Sequence, residues 1–537
     1  MKIKHIDGEI LKKMFIQGAS ILNKNREVVD SLNVFPVPDG DTGTNMSLTM
    51  DSAINEISKV QGKTVHSIAK AAANGSLMGA RGNSGVILSQ ILRGFEKGCQ
   101  GKEILTIKDF ANALKNASDT AYRAVMKPIE GTILTIIKET GKKAYELANK
   151  NIDFSDFFYG IIRHAEASLE RTPELLDVLK QAGVVDAGGK GLIFILKGFY
   201  EVISGKEDID IESDLNNLKI HDDTPHGRDI KFSYCTEFIV QGKSLNPDNL
   251  KEKIKNLGDS LLVVGDEDLV KVHIHTNNPG KIIEYGLDLG ELINIKIDNM
   301  KHQHRNKVFD EKVHNKSEAK KYGLIAVAMG EGLLNILNDL NVDKVITGGQ
   351  TMNPSTEDLL KAVNEINAEN IFIFPNNSNI VLAANQAKEL SKKNVIVIPT
   401  KTIPQGITSI IEFDPSASIE ENTDRMSKAI ESVKTIQITY SVRDSNFNGL
   451  TIKKGDILGI LDGKISTVGN SVNSVALEAV NQVLNNDYEI LTIYYGEEID
   501  EEEAKSLATK IQEKYPDLDV EIYFGGQPLY YYIFSVE

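Results

Sequence analysis

The sequence contains no tryptophan and only two cysteines, Cys99 and Cys235. The missing tryptophan excludes no function, but two cysteines are too few for a disulfide framework, so we expect a reducing compartment, the cytoplasm. No stretch reaches about 18 uninterrupted apolar residues, and the first residues are charged and run into a helical pattern without an apolar signal core. We therefore expect neither secretion nor a transmembrane segment.

Basic residues are fewer than acidic residues. The chain has 60 Lys and Arg against 76 Asp and Glu, a formal net charge of -16. A surface of that sign argues against general nucleic-acid binding. At 537 residues the chain is too long for one core, and the usual size of about 100 to 200 residues per domain predicts three or four domains.

A Walker A phosphate loop is absent, because no Gly-Lys-Ser/Thr follows a glycine loop at the required spacing, and residues 183–191 (GVVDAGGKG) fail that pattern too. Another glycine loop, residues 79–85 (GARGNSG), leads directly into a helical pattern. We expect Ser84 to cap this helix, whose first backbone amides form an anion site. Arg81 adds a cation able to hold phosphate oxygens with two hydrogen bonds.

The strongest indication of a functional site in the sequence is a pair of carboxylates separated by one residue. Asp39 and Asp41 lie between prolines and glycines in residues 33–46 (NVFPVPDGDTGTNM). Pro36 and Pro38 favour an extended chain, and the glycines allow close backbone approach. Two carboxylates in such a run can aim at one point, which suits Mg²⁺ bound partly by protein and partly by substrate phosphates. An Asp-rich surface turn is the alternative interpretation.

Three strings together resemble the kinase subunit of bacterial fatty acid kinase, namely residues 33–46, residues 79–85 and residues 184–191 (VVDAGGKG). The N-terminal domain of that family is related to the nucleotide-binding subunit of dihydroxyacetone kinase. The resemblance covers the whole chain, since residues 348–356 (GGQTMNPST) and 524–530 (FGGQPLY) are similar to the family's C-terminal half.

The resemblance implies transfer of the γ-phosphoryl group of ATP to a fatty acid carboxylate, which gives an acyl phosphate. Because a carboxylate is already ionised at neutral pH, catalysis would consist mostly of positioning and of charge neutralisation by Mg²⁺ and donor groups. A separate fatty-acid-binding carrier protein would present the acid. We also expect a homodimer and no nucleic-acid partner.

The resemblance also implies roles for residues of this sequence. Asp39 and Asp41 carry over as magnesium ligands and, with Arg81, as the catalytic set. The expected nucleotide or phosphate contacts are Thr44, Asn45, Gly82, Asn83, Ser84, Gly85, Asp186 and Gly188. Dihydroxyacetone kinases have a third carboxylate shortly before the pair, whereas here the nearest polar candidate upstream is Asn33, which leaves the ligand set and the number of Mg²⁺ ions open.

The expected fold is multidomain. Residues 1–205 are predicted to form an all-helical bundle or barrel, because apolar residues recur at helical spacing. Residues 230–300 show the order strand, helix, strand, strand, helix, strand of a small α+β split βαβ domain. Residues 321–537 alternate strands with helices, which favours parallel α/β structure, and resemble the fold of the family's lipid carrier. The polar residues 206–229 and 301–320 are predicted linkers.

Cys235 and two histidines of the middle domain are a candidate Zn²⁺ site. His273 and His275 lie two apart on one predicted strand and thus on one face, while Val272 and Ile274 point into the core. One thiolate and two imidazoles can occupy three corners of a tetrahedral site. Solvent-facing or hydrogen-bonded histidines are the alternative.

Several hydroxyl and amide side chains of the C-terminal half are candidate donors to an anion, and turn or helix-cap roles are the favoured interpretation. They are Thr351, Asn353, Ser355, Asn376, Asn377 and Ser378. Two other function classes stay open. One is a nucleotide-sensing scaffold without turnover, against which the intact Asp39 and Asp41 pair argues. The other is a small-polyol kinase, which would need a partner protein with a substrate-holding histidine.

Overall fold

The computed structural model describes most of the chain. The described residues are 3–33, 37, 40–62, 64–125, 127–205, 234–242, 245, 247–255, 257–265, 269–299, 320–349, 352–447, 450–484 and 488–537. The chain forms two compact units, one of Met1–Ile220 with Ala319–Glu537 and one of His221–Glu318. This grouping does not decide the predicted domains 1–205, 230–300 and 321–537, and the predicted linkers lie outside the described residues except for Lys320.

Residues 3–205, the helical region, contain only helices as regular elements in their described part, apart from a single bridge between Ile6 and Leu105. The helices are α1 (Gly8–Lys24), α2 (Arg26–Asp30), α3 (Thr42–Lys59), α4 (Val65–Met78), α5 (Gly82–Cys99), α6 (Ile107–Ala124), α7 (Ile133–Ala148), α8 (Phe154–Glu170), α9 (Thr172–Leu175), α10 (Asp177–Ala182) and α11 (Ala187–Ser204). The long helices pack side by side in chain order, and α11 returns to α1. The predicted helical N-terminal domain is confirmed.

The contact between α1 and α11 closes this ring of helices. A Cβ atom on Gly198 would lie 2.6 Å from the Cα atom of Gly18, so the two helices cross where neither carries a side chain. Beside this crossing the rings of Phe15 and Phe199 meet edge to face, with centroids 5.4 Å apart, a favourable aromatic geometry. The crossing fixes α11, whose N-terminus contributes to the site described below.

Residues 234–299, the middle unit, alternate strands and helices. The elements are β1 (Tyr234–Gln241), α12 (Pro247–Ile254), β2 (Gly258–Gly265), β3 (Leu269–Thr276), α13 (Pro279–Leu287) and β4 (Glu291–Asn299). The strand order is β2-β3-β1-β4, with antiparallel neighbours, which is typical of a split βαβ unit. Phe238, Val272 and Ile274 are buried in its core.

Residues 320–537, the C-terminal region, are α/β as expected. The elements are β5 (Lys320–Ala328), α14 (Glu331–Asp339), β6 (Lys344–Thr347), α15 (Thr356–Glu365), β7 (Ala368–Phe374), α16 (Val381–Leu390), β8 (Asn394–Val397), α17 (Ile403–Ile411), α18 (Ile419–Ser432), β9 (Lys434–Tyr440), β10 (Ser445–Phe447), β11 (Leu450–Ile452), β12 (Ile457–Leu461), β13 (Lys464–Gly469), α19 (Val472–Val483), β14 (Ile490–Tyr495), α20 (Glu501–Lys514), β15 (Asp519–Phe524) and β16 (Tyr532–Val536). Among the described helices of the whole chain, none is long and apolar enough to cross a membrane.

The two main sheets of the C-terminal region differ in direction. One has the order β6-β5-β7-β8 and is parallel throughout, as the alternating pattern predicts. The other has the order β13-β12-β9-β16-β14-β15, and only β14 and β15 are parallel neighbours. Parallel topology is therefore confirmed for the first sheet. In the second sheet most neighbours are antiparallel, namely the hairpin of β12 and β13, the pair of β9 and β12, and the pairs that β16 forms with β9 and β14.

Candidate functional site

A cavity of about 800 Å³ lies between the helical region and the C-terminal region. Its helical wall is built from the N-terminal ends of α3, α5, α7 and α11. The wall residues from these ends are Asp41, Thr42, Asn45, Asn83, Ser84, Ile87, Thr132, Ile133, Asp186, Ala187 and Gly188. The first turn of a helix has unpaired backbone N–H groups and a partial positive charge. Helix N-termini that converge on one cavity are therefore suited to bind phosphate groups.

The start of α3 is held by Asp30, a residue that the sequence analysis missed. The Asp30 carboxylate accepts hydrogen bonds from the amides of Gly43 (2.6 Å) and Thr44 (3.2 Å). Burial raises the pKa of Asp30, and these hydrogen bonds act in the opposite direction. Asp41 occupies the N-cap position without capping an amide of α3, and it lines the cavity. Thr44, expected to contact nucleotide, donates its hydroxyl to Asp30 at 2.9 Å.

The other residues proposed for the metal are only partly described. Asp39 lies outside the described residues, so its role stays a prediction. Asn33 lines the cavity, and its side-chain oxygen accepts a hydrogen bond from the hydroxyl of Thr42 at 2.8 Å. Its backbone carbonyl accepts a hydrogen bond from Arg443 of the C-terminal region. Asn33 is thus held from both regions.

The glycine loop before α5 corrects one expectation. The helix begins at Gly82, so Ser84 lies in its first turn and does not cap it. The cause is the backbone of Gly82, whose φ of 57° is in the left-handed region and turns the chain earlier than a serine cap would. Cβ atoms on Gly82 and Gly85 would lie 2.4 Å from side-chain atoms of Asn45 and Thr49, so these two glycines pack against α3. Ser84 still lines the cavity.

Arg81 binds the C-terminal region and is not part of the cavity wall. Its guanidinium donates a hydrogen bond to the carbonyl of Asn353 at 2.9 Å and lies 3.6 Å from the carboxylate of Asp358. Next to it, the carbonyl of Ala80 accepts a hydrogen bond from the amide of Thr356 at 3.1 Å. The structure therefore shows Arg81 joining two regions, whereas the sequence analysis expected it to grip phosphate.

The loop before α11 borders the same cavity, since Asp186 and Gly188 both line it. The Asp186 carboxylate accepts a hydrogen bond from the amide of Gly189 at 2.6 Å and so caps α11. Burial raises the pKa of Asp186 to about 6. The carboxyl group thus has a structural role at the edge of the anion site.

The opposite wall of the cavity comes from the C-terminal region, and sequence analysis missed most of it. Its polar residues are Asn377, Ser378, Asn379, Lys401, Thr402, Gln405, Glu431, Lys434, Gln437 and Asp462. The ammonium group of Lys434 lies 3.2 Å from the carboxylate of Asp462. Lys401 forms no ion pair within the part of the chain that the structure describes. These residues come from loops, two helices and a strand that are far apart in the sequence, so no local spacing indicates them.

The expected cap and turn roles in the C-terminal region are partly confirmed. Ser355 caps α15 in a capping box with Asp358. Asn376, with a φ of 55°, binds the carbonyl of Val327 at 3.0 Å in a buried turn. Asn353 departs from this pattern, because its side chain donates a hydrogen bond to Asp41 and caps nothing. Thr351 lies outside the described residues.

The residues present fit a magnesium nucleotide. The side-chain oxygens of Asn83 and Asn353 are buried and have no hydrogen-bond partner in the described chain. Asn83 lines the cavity, and Asn353 contacts Asp41. Carboxylate and amide oxygens are the ligands that Mg²⁺ prefers, and the helix N-termini suit the phosphates. Asp41 would hold the cation, and Asn45 and Ser84 would face the phosphates.

The candidate zinc site is described only through its backbone. Antiparallel pairing places Cys235 opposite His275, and Glu237 opposite His273. The side chains of Cys235, His273 and His275 lie outside what the structure describes. Among the described residues, no group of three or more His, Cys, Asp or Glu could hold a metal. Zinc binding therefore stays a prediction.

Known families match this architecture along nearly the whole chain. A DAK2 domain matches residues 36–201, the middle domain of FakA-like fatty acid kinase proteins matches residues 231–307, and the C-terminal domain of the same proteins matches residues 323–537. Fold and site thus define a multidomain protein with a dihydroxyacetone kinase-like N-terminal domain.

Two relatives match this chain over its full length. Protein YloV of Bacillus subtilis is 44% identical over 100% of both chains, and an uncharacterized protein of Staphylococcus aureus strain MRSA252 is 42% identical over 100% of both. The chain belongs to the FakA-like fatty acid kinase family.

Two solved structures show a weaker likeness. A DegV family protein from Corynebacterium glutamicum is 14% identical with a TM-score of 0.32, over 41% of this chain and 98% of that chain. The Streptococcus pneumoniae Fatty Acid Kinase (Fak) B3 protein loaded with linoleic acid is 13% identical with a TM-score of 0.29, over 40% of this chain and 99% of that chain. Scores this low carry no conclusion about this protein.

Proposed function

We propose that this protein is an ATP-dependent kinase that phosphorylates a fatty acid carboxylate to an acyl phosphate. The observation that carries the proposal is the cavity at which the N-termini of α3, α5, α7 and α11 meet beside Asp41. The N-terminus of a helix is a favourable site for a phosphate group. Membership of the FakA-like fatty acid kinase family supports a fatty acid as the acceptor.

The residues of the chain bind and orient the reactants. Asp39 and Asp41 hold Mg²⁺, which when bound neutralises charge on the phosphates. The first turn of α5, which has no side-chain cap, orients the phosphate chain together with Asn45 and Ser84, and the loop of Asp186 and Gly188 borders it. Arg81 fixes the C-terminal region at the rim of the cavity.

The transfer needs no general base. An oxygen of the ionised carboxylate attacks the γ-phosphorus, the bond to the oxygen bridging the β- and γ-phosphates breaks, and ADP leaves with the electron pair. No proton is transferred in this step. The task of the protein is therefore to align the two reactants and to neutralise charge.

We further propose that a separate fatty-acid-binding carrier protein presents the acid. A cavity inside the C-terminal region, bordered by Val327, Leu333 and Ile533, has a volume of about 40 Å³. That volume has space for only a few waters, so this cavity has no room for an acyl chain. We propose that the C-terminal region, with a fold like that of the carrier, serves for docking, and that the protein is a homodimer.

Two finer proposals concern the rest of the chain. We propose domains at residues 1–205, 230–300 and 321–537. We also propose that Cys235, His273 and His275 bind Zn²⁺, which the pairing of Cys235 with His275 supports because directly opposite residues share one face of a sheet.

Consumption of ATP by the full chain tests the proposed function. The arms are oleate alone, oleate with a purified fatty-acid-binding carrier protein, and dihydroxyacetone. We expect Mg²⁺-dependent consumption mainly in the arm with oleate and carrier. Consumption with dihydroxyacetone alone would indicate a polyol kinase, and ATP binding without consumption in any arm would indicate a nucleotide sensor. Either result contradicts the proposal.

A further inference from the structure

Asn353 of the C-terminal region reaches the proposed metal site of the helical region. Its side-chain amide donates a hydrogen bond to Oδ2 of Asp41, a residue 312 positions away in the sequence. Asn353 is only 1% exposed, and Asp41 is 7% exposed. The contact is therefore shielded from water, where a hydrogen bond to a carboxylate is stronger than at the surface.

The other end of the same amide group is unsatisfied. Oδ1 of Asn353 is buried and has no hydrogen-bond partner among the described residues. Buried polar side-chain atoms are nearly always hydrogen-bonded, so one that is not calls for an explanation. Asn353 lies beside Asp41, which is proposed to hold a cation. A water bound to that cation would supply the missing hydrogen-bond partner of the amide oxygen.

The backbone around Asn353 is fixed, so the amide group has little freedom to turn away. Its carbonyl accepts the hydrogen bond from Arg81 at 2.9 Å. The following residue is Pro354, whose ring restricts the backbone of Asn353. Beyond it, the amide of Thr356 donates to the carbonyl of Ala80 at 3.1 Å. The same loop therefore contacts both the glycine loop and Asp41.

We propose that Asn353 is a positioning residue of the phosphoryl-transfer site. Its N–H group holds Asp41 in one orientation toward the cation, and its oxygen accepts a hydrogen bond from a water bound to that cation. Groups that orient metal ligands in this way typically change metal affinity by about 10- to 100-fold when they are removed. The inference rests on the proposed function and adds that the site is complete only with the C-terminal region in place.

Cation binding by the full chain tests this role without relying on turnover. We would titrate Mn²⁺, followed by its electron paramagnetic resonance signal, in the presence of ADP. The variants are Asn353→Ala and Asn353→Leu, the second of which keeps most of the side-chain volume. The matched control is Asn370→Ala, because the Asn370 amide binds a carbonyl of the same region, that of Lys321 at 3.0 Å, at an exposed edge.

We expect both Asn353 variants to weaken Mn²⁺ binding by about 10-fold or more, while Asn370→Ala matches the wild type. A purely structural contact would instead lower the melting temperature and leave the Mn²⁺ affinity of the folded protein unchanged. That result, in whichever of the two variants folds, overturns the inference. Wild type without Mn²⁺ binding, or Asp41→Asn with wild-type affinity, would instead refute the metal site and with it the proposed function.

Discussion

The carboxylate of Asp30 accepts hydrogen bonds from both the amide (3.2 Å) and the hydroxyl (2.9 Å) of Thr44, at the start of α3. We predict that Asp30→Ala lowers the free energy of unfolding by about 0.5 to 2 kcal/mol, the usual effect of losing a helix cap, and also weakens nucleotide binding. Asp7→Ala is the matched control, because Asp7 caps α1 through the amide of Ile10. It should lower stability and leave nucleotide affinity unchanged. If the two variants bind nucleotide equally well, Asp30 does not contribute to the nucleotide site.

Ser84 should contact nucleotide although it does not cap α5. We predict that Ser84→Ala weakens ATP binding by about 0.5 to 2 kcal/mol, the scale of one hydrogen bond, as measured by calorimetry. Ser89→Ala in the same helix is the control, since the Ser89 hydroxyl donates to the carbonyl of Val86 at 2.7 Å. If both variants bind ATP like the wild type, Ser84 makes no contact with nucleotide.

Asp186 should make stability depend on pH. Burial raises its pKa in the folded protein from 3.8 to about 6, so between these values the folded state binds more protons than the unfolded state. The free energy of unfolding therefore falls as pH rises through this range. Asp186→Asn lacks this contribution while its side chain can still accept the hydrogen bond from Gly189.

Melting temperatures of the wild type and Asp186→Asn measure the effect. The variant should gain stability relative to the wild type as pH rises from about 4 to about 6.5. Other buried carboxyl groups, such as Asp51 with a pKa raised to about 6, are present in both proteins and cancel in the comparison. A difference that stays constant over this range would show that Asp186 does not titrate there.

The proposed zinc site gives a prediction for metal content. Purified wild type should contain about one Zn²⁺ per chain, and the double variant His273→Ala/His275→Ala should contain none, because three protein ligands are needed to hold the ion. Elemental analysis of both proteins after dialysis against a weak chelator decides the matter. Zinc missing from the wild type, or equal zinc in both, refutes the site.

The helices could be predicted because their signals are local. Asp7 caps α1 through the amide of Ile10, and Asp500 caps α20 through the amide of Glu503, which are interactions within one turn of helix. The antiparallel strands β9 to β13 were not predicted, although one signal was present. Asp462 and Gly463 adopt φ values of 45° and 79° in the turn between β12 and β13, and Asp-Gly is a strong hairpin signal.

The site could be predicted only on its helical side. The sequence motifs that contain Asp41, Ser84 and Asp186 each predict the start of a helix. The structure places all three residues at one cavity. The start of α5 was placed too late because the positive φ of Gly82 cannot be read from spacing. The C-terminal wall and Asn353 come from tertiary packing between distant segments, which no local pattern encodes.

Trapping of the acyl phosphate tests the central claim most directly. The full chain would be incubated with Mg²⁺, ATP and oleate-loaded carrier protein, and hydroxylamine would convert any acyl phosphate to oleoyl hydroxamate for mass spectrometry. We predict hydroxamate from the wild type and from Asp119→Ala, whose exposed carboxylate lies on α6.

Asp39→Ala and Asp41→Ala should each form hydroxamate at least about 100-fold more slowly, since losing the metal-held phosphate clamp removes several kcal/mol of transition-state stabilisation. No hydroxamate from a wild type that binds ATP, or equal rates in the wild type and Asp41→Ala, would contradict the account.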